Sequence, residues 1–222
     1  MLKTLFNRCR AWGLYEGENP VCKVKFRKEP KVRSRWLNHE EEHRLLTELP
    51  GASLRALVTV GIHCGLRIKA EALTLRWPSI DLKSGVLTVE AAYAKNGNTR
   101  TIPLNSTVLE ALKALHTSPI GEHVFVNEKG LAYRSIASIF KRACRRANLT
   151  DVTPHTLRHT FASRLVMAGV DLRTIQELGG WQTLAMVERY AHLSPGHKAQ
   201  AVERIALTTS CPPEPSALVA VR

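Results

Sequence analysis

The chain has 222 residues, of which 44% are hydrophobic, and this is enough for one sizeable core. It carries 32 lysines and arginines against 19 acidic residues, and the formal charge of +13 favours a polyanionic partner, nucleic acid first of all. The sequence contains no apolar run of 18 residues, no secretory signal and no C-x-x-C pair. Composition therefore argues against a membrane-spanning or disulfide-stapled protein and predicts a cytoplasmic one.

The N-terminal part combines a helix with a strongly basic stretch. Residues 1–15 are predicted to be helical and to end near the loop at 17–20. Residues 21–35 carry seven cations and a single acid and cannot bury an apolar face of their own, so we predict an extended arm that lies along phosphates. The predicted DNA-binding residues of this arm are Lys23, Lys25, Arg27, Lys28, Lys31, Arg33 and Arg35.

Three helices are predicted after the arm. Asn38 and Glu41 have the spacing of a capping box and begin a helix that ends before Pro50. A strongly apolar segment predicts a second helix over 53–64, and a glycine break separates it from a short third helix over 67–76.

Strand signals follow these helices. Residues 85–104 predict two or three short strands, and the dipeptide Asn96-Gly97 is a strong hairpin signal. A helix is then predicted over 105–116, a short strand over 123–127 and another helix over 134–147.

The next predicted helix has clear start and stop signals. Thr153 is its expected N-cap, Pro154 occupies its first position, and Gly169 closes it. The fold class is thus predicted to be α+β, mainly helical, with a small antiparallel sheet.

Further helices are predicted towards the C-terminus. Asp171 is expected to cap a helix over 172–178, and Thr183 is expected to cap one that runs to about His192. A last helix is predicted over 197–206, and the tail beyond it has no periodicity and is predicted to be disordered.

The helix that Thr153 opens begins with an unusual cluster of cationic residues. His155 and Arg158 project from one face of its first turns, beside free backbone N–H groups and the positive end of the helix dipole. This pattern predicts an anion site with a proton donor. By itself, H-x-x-R is equally typical of a solvated basic helix start.

Other stretches carry further groups suited to phosphoryl transfer. Arg67 follows a glycine break at a helix start, and Lys95 lies at the lip of the predicted hairpin. Trp181 stands at a turn 23 residues after Arg158, and Tyr190 follows it by nine residues.

In this order and with these spacings, the chain resembles the tyrosine recombinases, the group of phage integrases and chromosome-dimer resolvases. The resemblance covers roughly residues 20–206 and rests on G-L-R at a helix start, a K-x-G-x-x-R-x-x-P-L hairpin, H-x-x-R and the two later spacings. It implies a tyrosine recombinase-like catalytic domain over 36–206, after a remnant helix and basic interdomain arm over 1–35 and before a tail over 207–222.

The resemblance implies a nucleophile and a phosphate clamp. Tyr190 would attack a scissile DNA phosphate and form a 3′-phosphotyrosyl intermediate. Arg67 and Arg158 would hold the non-bridging oxygens, because guanidinium forks bind phosphate bidentately.

The resemblance also implies the proton transfers. Lys95 would protonate the departing 5′ oxygen, and His155 would exchange a proton with the tyrosine or assist the phosphate. Trp181 stands where many relatives carry His; its indole can donate one hydrogen bond but cannot transfer a proton. The implied reaction needs no metal and no cofactor.

Two further residues are predicted to support the site, and the chain departs from the family pattern in two ways. Relatives usually show an acid three residues after the first arginine, whereas Glu71 stands four after Arg67; it is still predicted to orient that arginine. His159 is predicted to pack behind the site and support Arg158 or the helix end. Family members commonly carry a separate helical DNA-clamping domain before the arm, and residues 1–19 resemble only its last helix.

Functions of different classes compete with recombination. Residues 39–43, HEEEH, match the zinc-protease pattern, but a capped, exposed helix start explains them, and the pair His155 and His159 lacks an acid ligand, so we predict no metal site. A DNA-binding module that no longer cuts would share the basic charge and the helices. Strand relaxation like that of a type IB topoisomerase would use the same chemistry, and both functions stay open at this point.

The resemblance implies double-stranded DNA as the partner and a tetramer on paired sites, with a Holliday-junction intermediate and a monomer possible in free solution. It also implies a bacterial or phage-encoded, nucleoid-associated protein. Ala199, Val202 and Ile205 give the last predicted helix an apolar face, which fits docking on a neighbouring protomer and packing on its own core about equally well.

Overall fold

A computed structural model describes residues 2–24, 35–92, 97–117 and 121–194. The chain divides into two compact units, Met1–Arg33 and Ser34–Arg222. The predicted three-part organisation stays a prediction, because its boundaries fall in or next to residues outside the described ranges. The predicted helix over 197–206 and the tail also lie outside them.

The first unit contains one helix and one turn. Helix α1 spans Leu2–Ala11 and ends four residues before the predicted end, because Gly13 turns the chain with a φ of 70°. The buried side chain of Asn19 donates to the carbonyl of Lys3 over 2.9 Å and caps the 3-10 turn Pro20–Lys23.

The second unit is mainly helical with one small sheet, which confirms the predicted fold class. Its helices are α2 His39–Glu48, α3 Gly51–His63, α4 Ser106–His116, α5 Ala137–Arg146, α6 Pro154–Met167, α7 Leu172–Gly179 and α8 Ala185–Glu188. Its strands are β1 Ile80–Asp81, β2 Val86–Val89 and β3 Arg100–Pro103, and they pair antiparallel in the order β1-β2-β3.

Helix α3 forms the centre of the core. Its residues 56–62 are buried without interruption, as expected for a helix that is apolar all round, and it packs against α4 and α6. Burial of each large aliphatic side chain, such as Leu57 or Ile62, contributes roughly 1.5–3 kcal/mol. The end of α3 is therefore held firmly where the chain turns towards Arg67.

Helix α2 begins with the predicted capping box, since Asn38 accepts from the Glu41 N–H and Glu41 accepts from the Asn38 N–H. Within the HEEEH stretch, Glu42 is buried and pairs with Arg164 at 2.5 Å and His63 at 3.1 Å. Glu42, a variable position of the zinc-like pattern, thus ties α2 to α6 and α3, whereas the pattern's own acid, Glu40, is exposed.

Two predictions around the sheet are wrong. The helix predicted over 67–76 is a single π-helical turn, Ile68–Ala72. The strand predicted over 123–127 forms only isolated bridges, because glycines with positive φ at 121 and 130 bend the chain on both sides of it.

The predicted helix capped by Thr183 is also wrong in extent. Helix α8 covers only Ala185–Glu188, and a 3-10 turn over Ala191–Leu193 follows it. The Tyr190 N–H bonds to the Val187 carbonyl three residues back, and this tighter winding places both side chains inside. The other helices predicted within the described residues of the second unit are confirmed to within a few residues at each end.

Strands β2 and β3 form the predicted antiparallel pair, with Leu87 opposite Ile102 and Val89 opposite Arg100. Their connection runs over 90–99, and residues 93–96 lie outside the described part of the chain. The predicted Asn-Gly turn is thus only partly described. Among the described residues, none of the helices has both the length and the apolarity needed to cross a bilayer.

Candidate active site

Helix α6 begins where its local sequence predicts, and its first turns carry both residues of the H-x-x-R pattern. Pro154 occupies the first turn, and the Thr153 N–H donates to Thr156 Oγ1 over 3.0 Å. His155 is exposed at this helix start, whereas the side chain of Arg158 turns inward and is 2% exposed.

Arg158 reaches the turn that follows α3. Its Nη1 donates to the carbonyl of Gly65 over 2.6 Å. Gly65 has a φ of 64°, and a Cβ there would lie 2.4 Å from the Phe161 ring, so both the conformation and the space require glycine. This close approach joins the Gly-Leu-Arg stretch to the H-x-x-R helix.

The π-helical turn accommodates the extra residue between Arg67 and Glu71. The Ala72 N–H bonds to the Arg67 carbonyl and the Leu73 N–H to the Ile68 carbonyl, both five residues back. Glu71 therefore still faces Arg67: its Oε1 lies 2.5 Å from Nη1, and its Oε2 accepts from the Arg67 N–H over 2.9 Å.

Arg100 is a site residue to which the sequence pattern assigned no role. It stands first in β3, and its Nη2 lies 2.8 Å from Glu71 Oε2. Burial alone would raise the pKa of Glu71, but hydrogen bonding and charge from Arg100, together with Arg67, hold that pKa below its ordinary value. The arginine of K-x-G-x-x-R was the only signal that could have identified it.

Replacement of Glu71 by glutamine is expected to destabilise the fold by about 3–5 kcal/mol at pH 7, because it leaves two arginines without their buried counter-charge. The folded pKa of Glu71 lies below the ordinary 4.5, so the carboxylate stabilises the fold above that value and loses this effect as the pH falls through the folded pKa. Urea unfolding from pH 7 to 3.5 should show the gap between native protein and Glu71→Gln closing in acid.

The matched control is Glu122→Gln, which removes the exposed pair with Arg76. Such a pair contributes only about 0–1 kcal/mol, so this variant should unfold nearly like native protein. If the difference in unfolding free energy between native protein and Glu71→Gln stayed constant over the whole pH range, the ionised Glu71 carboxylate would not be the stabilising group.

The turn after α7 places Trp181 on the arginines. Gly180 adopts a left-handed conformation with φ 66°, and its carbonyl accepts from Arg67 Nη2 over 3.1 Å. The guanidinium carbon of Arg158 lies 3.9 Å from the centroid of the Trp181 ring, which is a cation–π contact. Trp181 therefore packs against a site arginine.

Tyr190 lies inside the protein beside this cluster. Its side chain is 1% exposed, its ring centroid lies 6.2 Å from that of Trp181, and its hydroxyl is hydrogen-bonded to His159 Nδ1. The sequence placed His159 behind Arg158 or the helix end, whereas the structure places it against Tyr190. The His155 ring meets the His159 ring edge-on at 4.7 Å.

Proton affinities show that this pair is neutral. Burial, then the cations Arg189 and Arg158 along with His155, lowers the pKa of His159 to about 4, while burial raises the pKa of Tyr190 above 10. Transfer of the phenolic proton to His159 is therefore disfavoured. In the described conformation His159 holds the phenol rather than ionising it.

The cationic groups differ in their proton affinity and exposure. Burial first, then Arg67, lowers the pKa of Arg158 to about 9, so it remains a cation at pH 7. Burial and the cations Arg158 and Arg67 also lower the pKa of His155, which favours the neutral imidazole. Among the described residues, no three His, Cys, Asp or Glu side chains converge as metal ligands.

Of the other predicted site residues, the structure describes only Lys23 and Arg35. Lys95 lies outside the described residues, as do Lys25, Arg27, Lys28, Lys31 and Arg33. Lys23 pairs with Glu18 on the surface at 3.1 Å, and Arg35 pairs with Glu41 at 2.5 Å. The phosphate contacts of the arm stay a prediction.

This fold and the arginine cluster at the end of its central helix identify the protein family. Residues 35–197 match the phage integrase family, and the chain belongs to that family, whose members include the tyrosine recombinases.

The chain is 32% identical over 212 residues to the integrase of Salmonella phage P22, covering 88% of this chain and 52% of that protein. It is 34% identical over 215 residues to tyrosine recombinase XerC of Xanthomonas campestris pv. campestris (strain B100), covering 90% and 66%. The catalytic domain of bacteriophage HP1 integrase superposes with a TM-score of 0.62 at 25% identity, covering 80% of this chain and 99% of that one. The chain thus spans about half to two thirds of the length of these two curated relatives.

Proposed function

We propose that this chain is a site-specific DNA recombinase of the integrase type, which cleaves and rejoins DNA through a 3′-phosphotyrosyl bond to Tyr190. Family membership supports this class of activity, and the relatives named above are an integrase and a recombinase. The observation that carries the proposal is the buried guanidinium of Arg158, whose Nη2 has no hydrogen-bond partner among the described residues.

A buried N–H without an acceptor costs about 1–3 kcal/mol, and folded proteins seldom leave one. A phosphate oxygen would supply the acceptor that Arg158 lacks, because guanidinium forks match phosphate geometry. Arg67 lies beside it with its side chain 20% exposed, and His155 is exposed at the helix start. This combination favours a bound phosphodiester over a purely structural role.

Charge and shape around the cluster favour DNA as the source of that phosphate. The whole chain carries +13, and an open groove of about 630 Å³ runs between the start of β3 and α7, beside Trp181. Salt should weaken binding steeply if many cations contact the backbone.

The proposed reaction exchanges one phosphate ester bond for another and needs no added cofactor. The phenol oxygen of Tyr190 attacks phosphorus, the bond from phosphorus to the 5′ oxygen breaks, and the phosphotyrosyl ester keeps the energy for rejoining. Arg67 and Arg158 neutralise charge on the non-bridging oxygens. His155, as a neutral imidazole, takes the proton that the phenol loses, and Lys95, on the connection that leads into β3, gives a proton to the departing 5′ oxygen.

Attack requires Tyr190 to leave its buried position. The short helix α8 and the 3-10 turn after it carry the tyrosine, and such short elements have few internal hydrogen bonds to lose. Release breaks the bond to His159 and lets the phenol approach the arginines. We further propose that the active assembly is a tetramer on paired duplex sites and works on nucleoid DNA.

Covalent capture tests the proposal without a known target sequence. Native protein is incubated with a pool of nicked duplexes whose flanks are randomised, and protein–DNA adducts are isolated under denaturing conditions. We expect an adduct that is linked through Tyr190 by peptide mass spectrometry, and sequencing of the captured DNA supplies a defined substrate. Binding of the pool without any adduct would instead support a DNA-binding module that does not cut.

A further inference from the structure

Arg100 is engaged on every nitrogen of its guanidinium. Nη2 and Nη1 donate to the two carboxylate oxygens of Glu71 over 2.8 and 3.2 Å, and Nε donates to the Leu178 carbonyl over 3.1 Å. Its side chain is 9% exposed. Three of its five N–H groups are thus bound to acceptors of the protein itself, which favours a supporting role over that of a phosphate ligand.

These contacts connect three segments that are distant in sequence. Glu71 in turn binds Arg67, one of the two proposed phosphate ligands, through Nη1 and through the backbone N–H. The Leu178 carbonyl belongs to the end of α7, two residues before Gly180, which itself accepts from Arg67. Arg100 also begins β3, the strand that follows the hairpin connection.

The close fit around Arg100 restricts its neighbours. A Cβ on Gly180 would lie 2.8 Å from Arg100 Nη1, so the turn that leads to Trp181 passes directly over the guanidinium. Trp181 then stacks on Arg158. Movement of Arg100 would therefore displace Glu71, which supports Arg67. It would also displace the turn that carries Trp181, which supports Arg158.

From these contacts we infer that Arg100 is a positioning residue of the recombination reaction: through Glu71 and the Leu178 carbonyl it fixes Arg67 and the Trp181 turn around the scissile phosphate. The inference rests on the proposed function. The hydrogen bonds that the structure gives Arg100 run to Glu71 and the Leu178 carbonyl, and its proposed effect on the reaction is transmitted through these neighbours.

The test compares Arg100→Gln and Arg100→Lys with native protein on the captured substrate. Both variants should slow single-turnover cleavage about 10- to 100-fold, the range found when a residue that orients a metal-binding side chain is replaced. Lysine keeps the charge but cannot hold both carboxylate oxygens and the carbonyl, so it should not rescue the rate. DNA affinity should change less than twofold, because the positive charges at the surface are untouched.

A neutral substrate separates positioning from a general structural effect. In a duplex with a methylphosphonate at the scissile position, Arg67 has less charge to stabilise, so the defect of Arg100→Gln should shrink severalfold. An equal defect on both substrates, a rate like that of native protein, or full rescue by lysine would overturn the inference. The surface variant Arg76→Gln, which loses only its exposed pair with Glu122, should cleave like native protein.

A second measurement needs no DNA and so distinguishes the two proposals. Amide hydrogen exchange over 178–182 should be at least tenfold faster in Arg100→Lys than in native protein, and unchanged in Arg76→Gln. Absence of any covalent adduct with native protein would end the recombinase proposal, and faster exchange in Arg100→Lys would then still show that Arg100 holds the Trp181 turn, though not that it serves this reaction. Unchanged exchange in Arg100→Lys would end the positioning role even if native protein cleaves.

Discussion

Tyr190→Phe is expected to abolish the covalent protein–DNA adduct, because no other atom of the residue can form an ester with phosphorus. The ring and its packing against Trp181 remain, and the only loss within the fold is the hydrogen bond to His159. Such a bond contributes about 1 kcal/mol, so the variant should stay folded at 25 °C. DNA affinity in a gel-shift assay should match that of native protein within twofold.

The matched control for this prediction is Tyr133→Phe. Tyr133 is partly buried and packs against the main core, and it has no place in the proposed site. This variant should form the adduct at the native rate. An adduct that persists in Tyr190→Phe, mapped to another side chain, would remove Tyr190 as the nucleophile.

Arg158→Met is expected to lower single-turnover cleavage by about 10³- to 10⁵-fold, the range found when an arginine that stabilises a phosphoryl transition state is lost. Methionine fills much of the same volume and removes a cation that burial and Arg67 already disfavour. The free energy of unfolding should therefore change by less than about 1 kcal/mol. Affinity for DNA should fall only a few-fold, since many other cations share that attraction.

Thermal unfolding and salt-dependent binding, measured on the same preparation, provide the control. If Arg158→Met lost stability or DNA affinity in proportion to its rate, the residue would be part of the scaffold or of general DNA binding. Arg158→Lys extends the test: it keeps the charge but loses the fork that serves both Gly65 and a phosphate, and it should remain at least 10²-fold slow.

Local features could be predicted because interactions between residues close in sequence determine them. The capping box at Asn38, the proline start of α6 and the apolar length of α3 each follow from interactions within about four residues. The π-helical turn was missed for the opposite reason: the same apolar spacing fits an α-helix, and only packing around Glu71 selects hydrogen bonds five residues back.

Family order and spacing identified the candidate residues but not their partners. His159 was expected to support Arg158 or the helix end, whereas in the structure it is hydrogen-bonded to Tyr190. The hairpin arginine at 100 received no role although it binds Glu71. These pairs lie 31 and 29 residues apart, and the bond from Arg158 to Gly65 spans 93. The periodicity of a single helix or strand does not determine which residues so far apart in sequence come into contact.

Residue types and their local spacing were enough to establish the class of fold, the helix starts that present His155 and Arg158, and the positive charge that attracts a polyanion. Long-range packing alone established which buried arginine keeps a nitrogen without a partner among the described residues, which arginine binds Glu71 on both oxygens, and that Tyr190 rests buried. Side-chain chemistry and short-range hydrogen bonds depend on residues that are close in sequence, so they can be predicted from it. Burial and distant pairing depend on how α3, α6, β3 and the turn after α7 pack together.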